Sequence, residues 1–163
     1  MNYKLYENSL NDVEQVIETI LLNRGIKEPE KYLNLDASCC NDYENLNNIE
    51  EAIKCFDKHF EEKDDIAILV DCDPDGYTSA AAMYNYIKRL DTEYPVKYII
   101  HNHNKAHGLS KMGKGDFDVP KETKLFIIPD AGSNDVKQLN ELIKNEIDCI
   151  CLDHHDIEEW TGE

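Results

Sequence analysis

The chain has 163 residues, and its 34 Asp and Glu against 17 Lys and Arg give a formal net charge of −17. That length suits one domain with a real core rather than two. The sequence has no apolar run of about 18 residues or more, so we expect no membrane-spanning helix, and its polar N-terminus is not expected to be a secretory signal. The charge argues against a large nucleic-acid footprint on this chain alone, because phosphate-binding surfaces are normally basic.

The cysteines form no CxxC pair, and their spacing resembles neither a zinc site nor a disulfide framework. We therefore expect reduced thiols in a cytoplasmic protein. The six positions are Cys39, Cys40, Cys55, Cys72, Cys149 and Cys151.

Apolar spacing predicts a helical N-terminal segment followed by alternating strands and helices. In chain order the predicted elements are helices over 9–24 and 48–60, a strand over 66–70, a helix over 78–90, strands over 96–100 and 125–128, a helix over 133–146 and a strand over 149–152. The strand over 66–70 is continuously apolar, as expected for a strand buried on both faces, and Ser133 is expected to cap the last helix.

The alternation predicts an α/β fold with a parallel sheet and flanking helices. We expect residues 1–63 to form a helical segment that packs on the core, and residues 64–163 to form the α/β domain.

Acidic and histidine residues follow three of the predicted strands, at the point where each strand ends. In open α/β sheets, ligands bind at the carboxyl ends of strands, so groups distant in sequence can converge there. The three groups are Asp71, Asp73 and Asp75 in VDCDPDG, Asp130 in IIPDAG, and Asp153, His154 and His155 in CLDHH.

Without a cation, such a convergence would oppose folding, or the carboxylates would take up protons. Two carboxylates about 4 Å apart repel by roughly 4 kcal/mol at an effective dielectric near 20. Oxygen ligands with one or two imidazoles suit Mn²⁺ or Mg²⁺ better than Zn²⁺, because no thiolate is positioned to join them. Gly76 allows a tight turn, and the helix that follows directs its N-terminus, which favours phosphate, toward the same site.

These residues carry a family resemblance. The segment DCDPDGYTS resembles the first motif of the DHH phosphoesterases, D-x-D-x-D-G-x-x-S, and Asp130-Ala131-Gly132 resembles their second motif. Asp153-His154-His155 matches the triplet that names the family. The segments LLNRGIKEPEKYL and HGLS are similar to segments of RecJ-type single-stranded-DNA exonucleases, so the resemblance spans nearly the whole chain.

The resemblance implies a DHH-type domain and phosphodiester hydrolysis at a two-metal site holding Mn²⁺ or Mg²⁺. It further implies 5′ to 3′ digestion of single-stranded DNA in DNA repair. The implied roles are metal ligands for Asp73, Asp75, Asp130 and His154, catalytic roles for Asp71, Asp153 and His155, and substrate contacts for Ser79, His107 and Gly108. Asp130 is the candidate to bridge two ions, and Asp71 is either a ligand or a group that supports one.

The chain departs from the family pattern in three places. No segment matches the family's further Asp motif after the triplet, and the C-terminal substrate-binding domain has no counterpart. We therefore expect a fragment of a longer protein, with that domain as a partner. Asn102 aligns with an arginine of the family pattern, and His107 with a tyrosine.

A separate histidine cluster lies in HNHNKAH, and the sequence places no carboxylate beside it. We expect an exposed polar loop, with a substrate or metal role as the alternative. The histidines are His101, His103 and His107, the last being the strongest candidate for such a role.

The sequence is compatible with three functions. The first is a metal-dependent nuclease acting on single-stranded DNA. The second keeps the chemistry but takes short oligonucleotides or cyclic dinucleotides, which an acidic surface tolerates better than a long polyanion. The third is a fragment that binds metal or a protein partner without catalysis.

Overall fold

The structure is a computed structural model, and it describes residues 13–40, 42–102 and 107–157. The helices are α1 (Val13–Asn23), α2 (Pro29–Leu33), α3 (Ile49–Glu62), α4 (Pro74–Leu90) and α5 (Val136–Lys144). The strands are β1 (Asp65–Val70), β2 (Val96–Ile100), β3 (Thr123–Pro129) and β4 (Asp148–Leu152). Two short 3₁₀ turns, Ala37–Cys39 and Tyr43–Asn45, lie between α2 and α3.

The four strands form one parallel sheet in the order β2-β1-β3-β4. From β1 the chain first adds β2 on one side and then returns to add β3 on the other. The strand order therefore reverses between β1 and β3, and their carboxyl ends flank the crevice in which such sheets bind ligands. This arrangement confirms the predicted α/β class.

The sheet has a hydrophobic core on each face, because side chains alternate along each strand. Ile66 and Ile68 of β1 pack on the face that carries α3 and α4, together with the buried Ile87. Ala67 and Leu69 point to the opposite face, which is covered in part by α5. Burial of both faces explains why β1 is apolar throughout its central residues.

Two helices begin at different residues from those predicted. The helix after β1 begins at Pro74 rather than at residue 78, because the Asp73 side chain accepts a hydrogen bond from the Gly76 N–H and caps the first turn. The last helix begins at Val136 and follows Asp135, not Ser133. The part of the first predicted helix over residues 9–12 lies outside the described residues.

Contacts divide the chain into two compact units, Met1–Asn47 and Asn48–Glu163. In the first unit α1 contacts α2. In the second, α3 contributes Ala52, Phe56 and Phe60 to the packing on one face of the sheet. The division lies before α3, whereas the sequence placed it after residue 63; the domain assignment itself stays a prediction.

Within the described residues, no helix is long and apolar enough to cross a membrane.

Candidate metal centre

The first turn of α4 carries two of the predicted ligands at the end of β1. Asp73 is the cap of the helix, and the Gly76 N–H donates to its Oδ1 at 3.1 Å, which lowers the pKa of the Asp73 carboxyl. Asp75 lies one residue beyond Pro74, with a side chain that is 65% exposed. A Cβ on Gly76 would lie 2.6 Å from the Asp71 Cβ, so only glycine lets this turn approach β1 so closely.

Asp130 follows β3 in a left-handed backbone conformation, with φ of 65°. Its own N–H donates to the Leu152 carbonyl at 2.7 Å, which continues the pairing of β3 with β4 and turns the side chain into the crevice. Burial, together with the charges of Asp75 and Asp73, raises the pKa of Asp130. Its Oδ2 is buried and has no hydrogen-bond partner among the described residues. A buried carboxylate oxygen without a partner is costly unless a cation is bound to it.

The four predicted metal ligands meet in this crevice. Carboxylate oxygens of Asp73, Asp75 and Asp130 lie within 4.8 Å of one another. The His154 Nε2, from the segment after β4, lies 3.0 Å from the Asp130 Oδ1 and 3.9 Å from the Asp75 Oδ2. Three carboxylates and one imidazole, with the Asp130 Oδ2 left without a partner among the described residues, fit a hard divalent cation such as Mn²⁺ or Mg²⁺.

Asp153 and His155 shape the turn that presents His154. The Asp153 carboxylate accepts hydrogen bonds from the Ser133 N–H at 2.9 Å and the His155 N–H at 3.0 Å. Desolvation opposes ionisation of Asp153, but these hydrogen bonds outweigh it and lower its pKa. The same carboxylate bonds to the His155 Nδ1 at 2.7 Å and raises the pKa of His155. Asp153 therefore orients its neighbours and keeps the exposed His155 ring cationic over a wider pH range.

The three predicted substrate contacts have different surroundings. His107 is exposed at the rim of the crevice, and Gly108 behind it is buried. Ser79 lies on α4, where its hydroxyl donates to the Gly76 carbonyl at 3.1 Å. Asp71, at the very end of β1, is wholly buried and contacts His107 rather than the cluster of ligands.

The histidine cluster corrects one expectation from the sequence. His101 is not in an exposed polar loop, because its side chain is only 2% exposed and lies between two buried carboxylates, Asp71 and Asp116. Asn102 donates a hydrogen bond from its side chain to the Asp116 carbonyl. Sequence reasoning missed Asp116 because it lies in a loop without a strand-end signal. His103 lies outside the described residues.

A second polar cluster, at the opposite end of the sheet, was also missed. The buried His59 of α3 bonds through Nδ1 to Asp64 at 2.7 Å and through Nε2 to Asp148 at 2.9 Å. Lys58 lies 3.4 Å from the same Asp148. The His59 ring thus bridges Asp64, just before β1, and Asp148, the first residue of β4, so the cluster links α3 to β4.

Comparisons with known proteins identify the family of the chain. The model of the DHH family, N-terminal domain, matches residues 65–162. The single-strand DNA-specific exonuclease YorK of Bacillus subtilis (strain 168), described as putative and derived from the SPbeta prophage, is 38% identical over 143 residues, as is its counterpart in Bacillus phage SPbeta. Each match covers 87% of this chain, which spans only 24% of these curated relatives.

Two solved structures share the fold. Exonuclease RecJ bound to manganese has a TM-score of 0.58 and is 22% identical, with 71% of this chain and 29% of that chain covered. RecJ of Thermus thermophilus in complex with Mn²⁺ has a TM-score of 0.59 and is 21% identical, with 86% of this chain and 19% of that chain covered. At this identity the likeness concerns the fold alone. The family model, which covers more than half of the chain, establishes that the chain belongs to the DHH family through its N-terminal domain.

Proposed function

We propose that the chain is the metal-binding part of a RecJ-like single-stranded-DNA exonuclease that digests from the 5′ end. One observation carries the proposal: Asp73, Asp75, Asp130 and His154, from three strand ends, meet in one crevice, where the buried Oδ2 of Asp130 has no partner in the described chain. The exonuclease relatives, and the manganese bound in the two RecJ structures, support the same function.

The four side chains would hold Mn²⁺ or Mg²⁺, with Asp130 as the candidate to bridge two ions. When bound, such ions supply a nucleophilic water and neutralise charge on the phosphate in an in-line displacement. Asp153 holds the turn that orients His154. His155, whose pKa its neighbour Asp153 raises, places positive charge at the rim where a phosphate oxygen would lie.

The test is a time course with Mn²⁺ and a 5′-labelled single-stranded oligonucleotide, run on this chain and on a longer protein that carries it. We expect the longer protein to release labelled mononucleotide early, and Asp130→Asn to abolish that release. Asp57→Asn, on the exposed surface of α3, is the matched control and should retain activity. Undiminished cleavage by Asp130→Asn would refute the assignment of the site.

A shorter substrate is the second candidate, and the net charge of −17 favours it. A long polyanion is repelled by an acidic surface, whereas a dinucleotide meets only the charges beside the crevice. Comparison of cleavage rates on a dinucleotide and on a long oligonucleotide separates the two. A rate higher on the dinucleotide at low and at high salt would identify a small-substrate phosphoesterase.

The isolated chain is proposed to lack part of the active site. It spans about a quarter of its curated relatives, and the DHH pattern includes an Asp motif that has no match here. A C-terminal domain of the same protein would supply that motif and basic surface for DNA. If the chain binds Mn²⁺ but cleaves nothing while the longer protein digests DNA, the chain is a metal-binding fragment.

We place the protein in the cytoplasm, in keeping with its free cysteines.

A further inference from the structure

Asp71 is the first aspartate of the VDCDPDG segment, but its surroundings differ from those of Asp73 and Asp75. Its side chain is fully buried, and both of its carboxylate oxygens are occupied. Oδ1 accepts a hydrogen bond from the Gly108 N–H at 2.9 Å, and Oδ2 lies 2.7 Å from the His107 Nδ1. Both contacts are with the loop that follows β2, not with the four predicted ligands.

The buried ring of His101 lies behind Asp71. The His101 Nε2 lies 3.4 Å from the Asp71 Oδ1, and the His101 Nδ1 lies 2.5 Å from the Asp116 Oδ2. The His101 ring meets the Phe117 ring edge-on, with centroids 5.1 Å apart. Because the His101 Nε2 has no hydrogen-bond partner among the described residues, the orientation of Asp71 is set by its contacts with His107 and Gly108.

The same loop is held from its other side by Asp135. The Leu109 N–H donates to the Asp135 Oδ2 at 2.7 Å. Gly108 has φ of 60°, and a Cβ there would lie 2.2 Å from that same oxygen. The backbone at Gly108 and Leu109 is therefore fixed between two carboxylates, one at the end of β1 and one at the start of α5.

We propose that Asp71 is a positioning residue that fixes the loop His107–Ser110 beside the metal centre and is not itself a metal ligand. The loop matters because His107 and Gly108 line a concavity of about 550 Å³ together with Asp130 and His155. In this role Asp71 determines where the rim of the substrate site lies. The proposal rests on the proposed function only in taking this concavity as the place where substrate binds.

The test compares Asp71→Ala and Asp71→Asn in the whole chain by amide hydrogen exchange, observed by NMR without metal. Asp71→Ala removes the acceptor of the Gly108 N–H, so that amide should exchange at least about tenfold faster, while core amides such as that of Ile127 stay unchanged. Asp71→Asn keeps an oxygen at this position and should restore most of the protection. Unchanged exchange at Gly108 in Asp71→Ala would overturn the proposal.

Manganese affinity, measured by electron paramagnetic resonance of free Mn²⁺, separates a positioning residue from a ligand. We expect both Asp71 variants to bind Mn²⁺ within about threefold of the wild type, and Asp75→Ala to lose at least about tenfold. If Asp71→Asn loses as much affinity as Asp75→Ala, Asp71 is a ligand and the proposal is wrong. If the wild type binds no Mn²⁺, the proposed function fails, while the exchange of Gly108 still decides the role of Asp71.

Gly108→Ala provides a second approach should Asp71→Ala fail to fold. Its Cβ would collide with Asp135 and displace the loop without altering Asp71. We expect fast exchange at residues 108 and 109 with Mn²⁺ affinity retained. Slow exchange at both positions would show that the loop is held independently of these contacts, which contradicts the proposal.

Discussion

Asp130→Asn is predicted to stabilise the metal-free chain while removing its response to metal. In the absence of a cation, Asp130 is a buried carboxylate beside two others, and its raised pKa reflects burial first and the charges of Asp75 and Asp73 second. Asparagine has the same shape without the charge, and its Oδ1 would keep the place of the Asp130 Oδ1, 3.0 Å from the His154 Nε2. The substitution therefore removes repulsion and keeps the local packing.

The magnitude follows from the spacing of the carboxylates. Their ligand atoms lie no more than 4.8 Å apart. At that distance two unit charges repel by about 3.5 kcal/mol at an effective dielectric of about 20. The exposure of Asp75 and the attraction between Asp130 and His154 reduce this repulsion. We therefore expect the substitution to raise the free energy of unfolding by about 1–2 kcal/mol. For a chain of this length that gain raises the melting temperature by roughly 2–8 °C.

Denaturation at pH 7, with EDTA and then with excess Mn²⁺, measures both effects. The wild type should gain stability when Mn²⁺ replaces EDTA, because an ion that binds only the folded state stabilises it. Asp130→Asn should have a higher free energy of unfolding than the wild type in EDTA and should gain no stability from Mn²⁺. The control Asp57→Asn should match the wild type in both conditions. An Asp130→Asn variant no more stable than the wild type in EDTA would refute the electrostatic reasoning.

Three further predictions concern other parts of the fold. Gly76→Ala should lower the free energy of unfolding by about 1–3 kcal/mol in urea denaturation, because its Cβ would lie 2.6 Å from the Asp71 Cβ. Asp148→Asn should destabilise the chain more at pH 7 than at pH 3, as measured by denaturation at both values. The hydrogen bond to His59 lowers the pKa of Asp148, so its contribution is fully present above the unfolded pKa of about 4 and is lost as the pH falls through the lower folded pKa. A fragment of residues 48–163 should unfold cooperatively by circular dichroism, since both faces of its sheet carry a core; a non-cooperative transition would contradict that division.

The sequence predicted the class of fold because its strongest signals are local. The apolar run over residues 66–70 has the length and composition of a strand buried on both faces, and the structure places β1 at Asp65–Val70. The start of α4 was missed because Asp-Pro-Asp-Gly favours a turn as much as a capped helix. Ser133 was wrongly expected as a cap because α5 begins only at Val136, directly after Asp135. The Ser133 N–H instead donates to Asp153, twenty residues later in the chain.

The candidate site was predictable to the extent that parallel strands end at one edge of the sheet. That rule alone brings Asp73, Asp130 and His154 together. It gives no information about groups that approach from loops. The partners of His101 and the loop contact of Asp135 depend on how the segment after β2 folds back, and no local pattern marks them.

The most direct test of the metal centre is paramagnetic broadening by Mn²⁺ at well below one equivalent, observed on a ¹⁵N-labelled chain. With a net charge of −17, the chain could also collect cations diffusely over its surface, and this measurement locates the ion. We expect the amide signals of Gly76, Ala131 and His155 to disappear first, while those of Asp64 and Asp148 persist. Uniform broadening, or broadening that begins at Asp148 and His59, would contradict it.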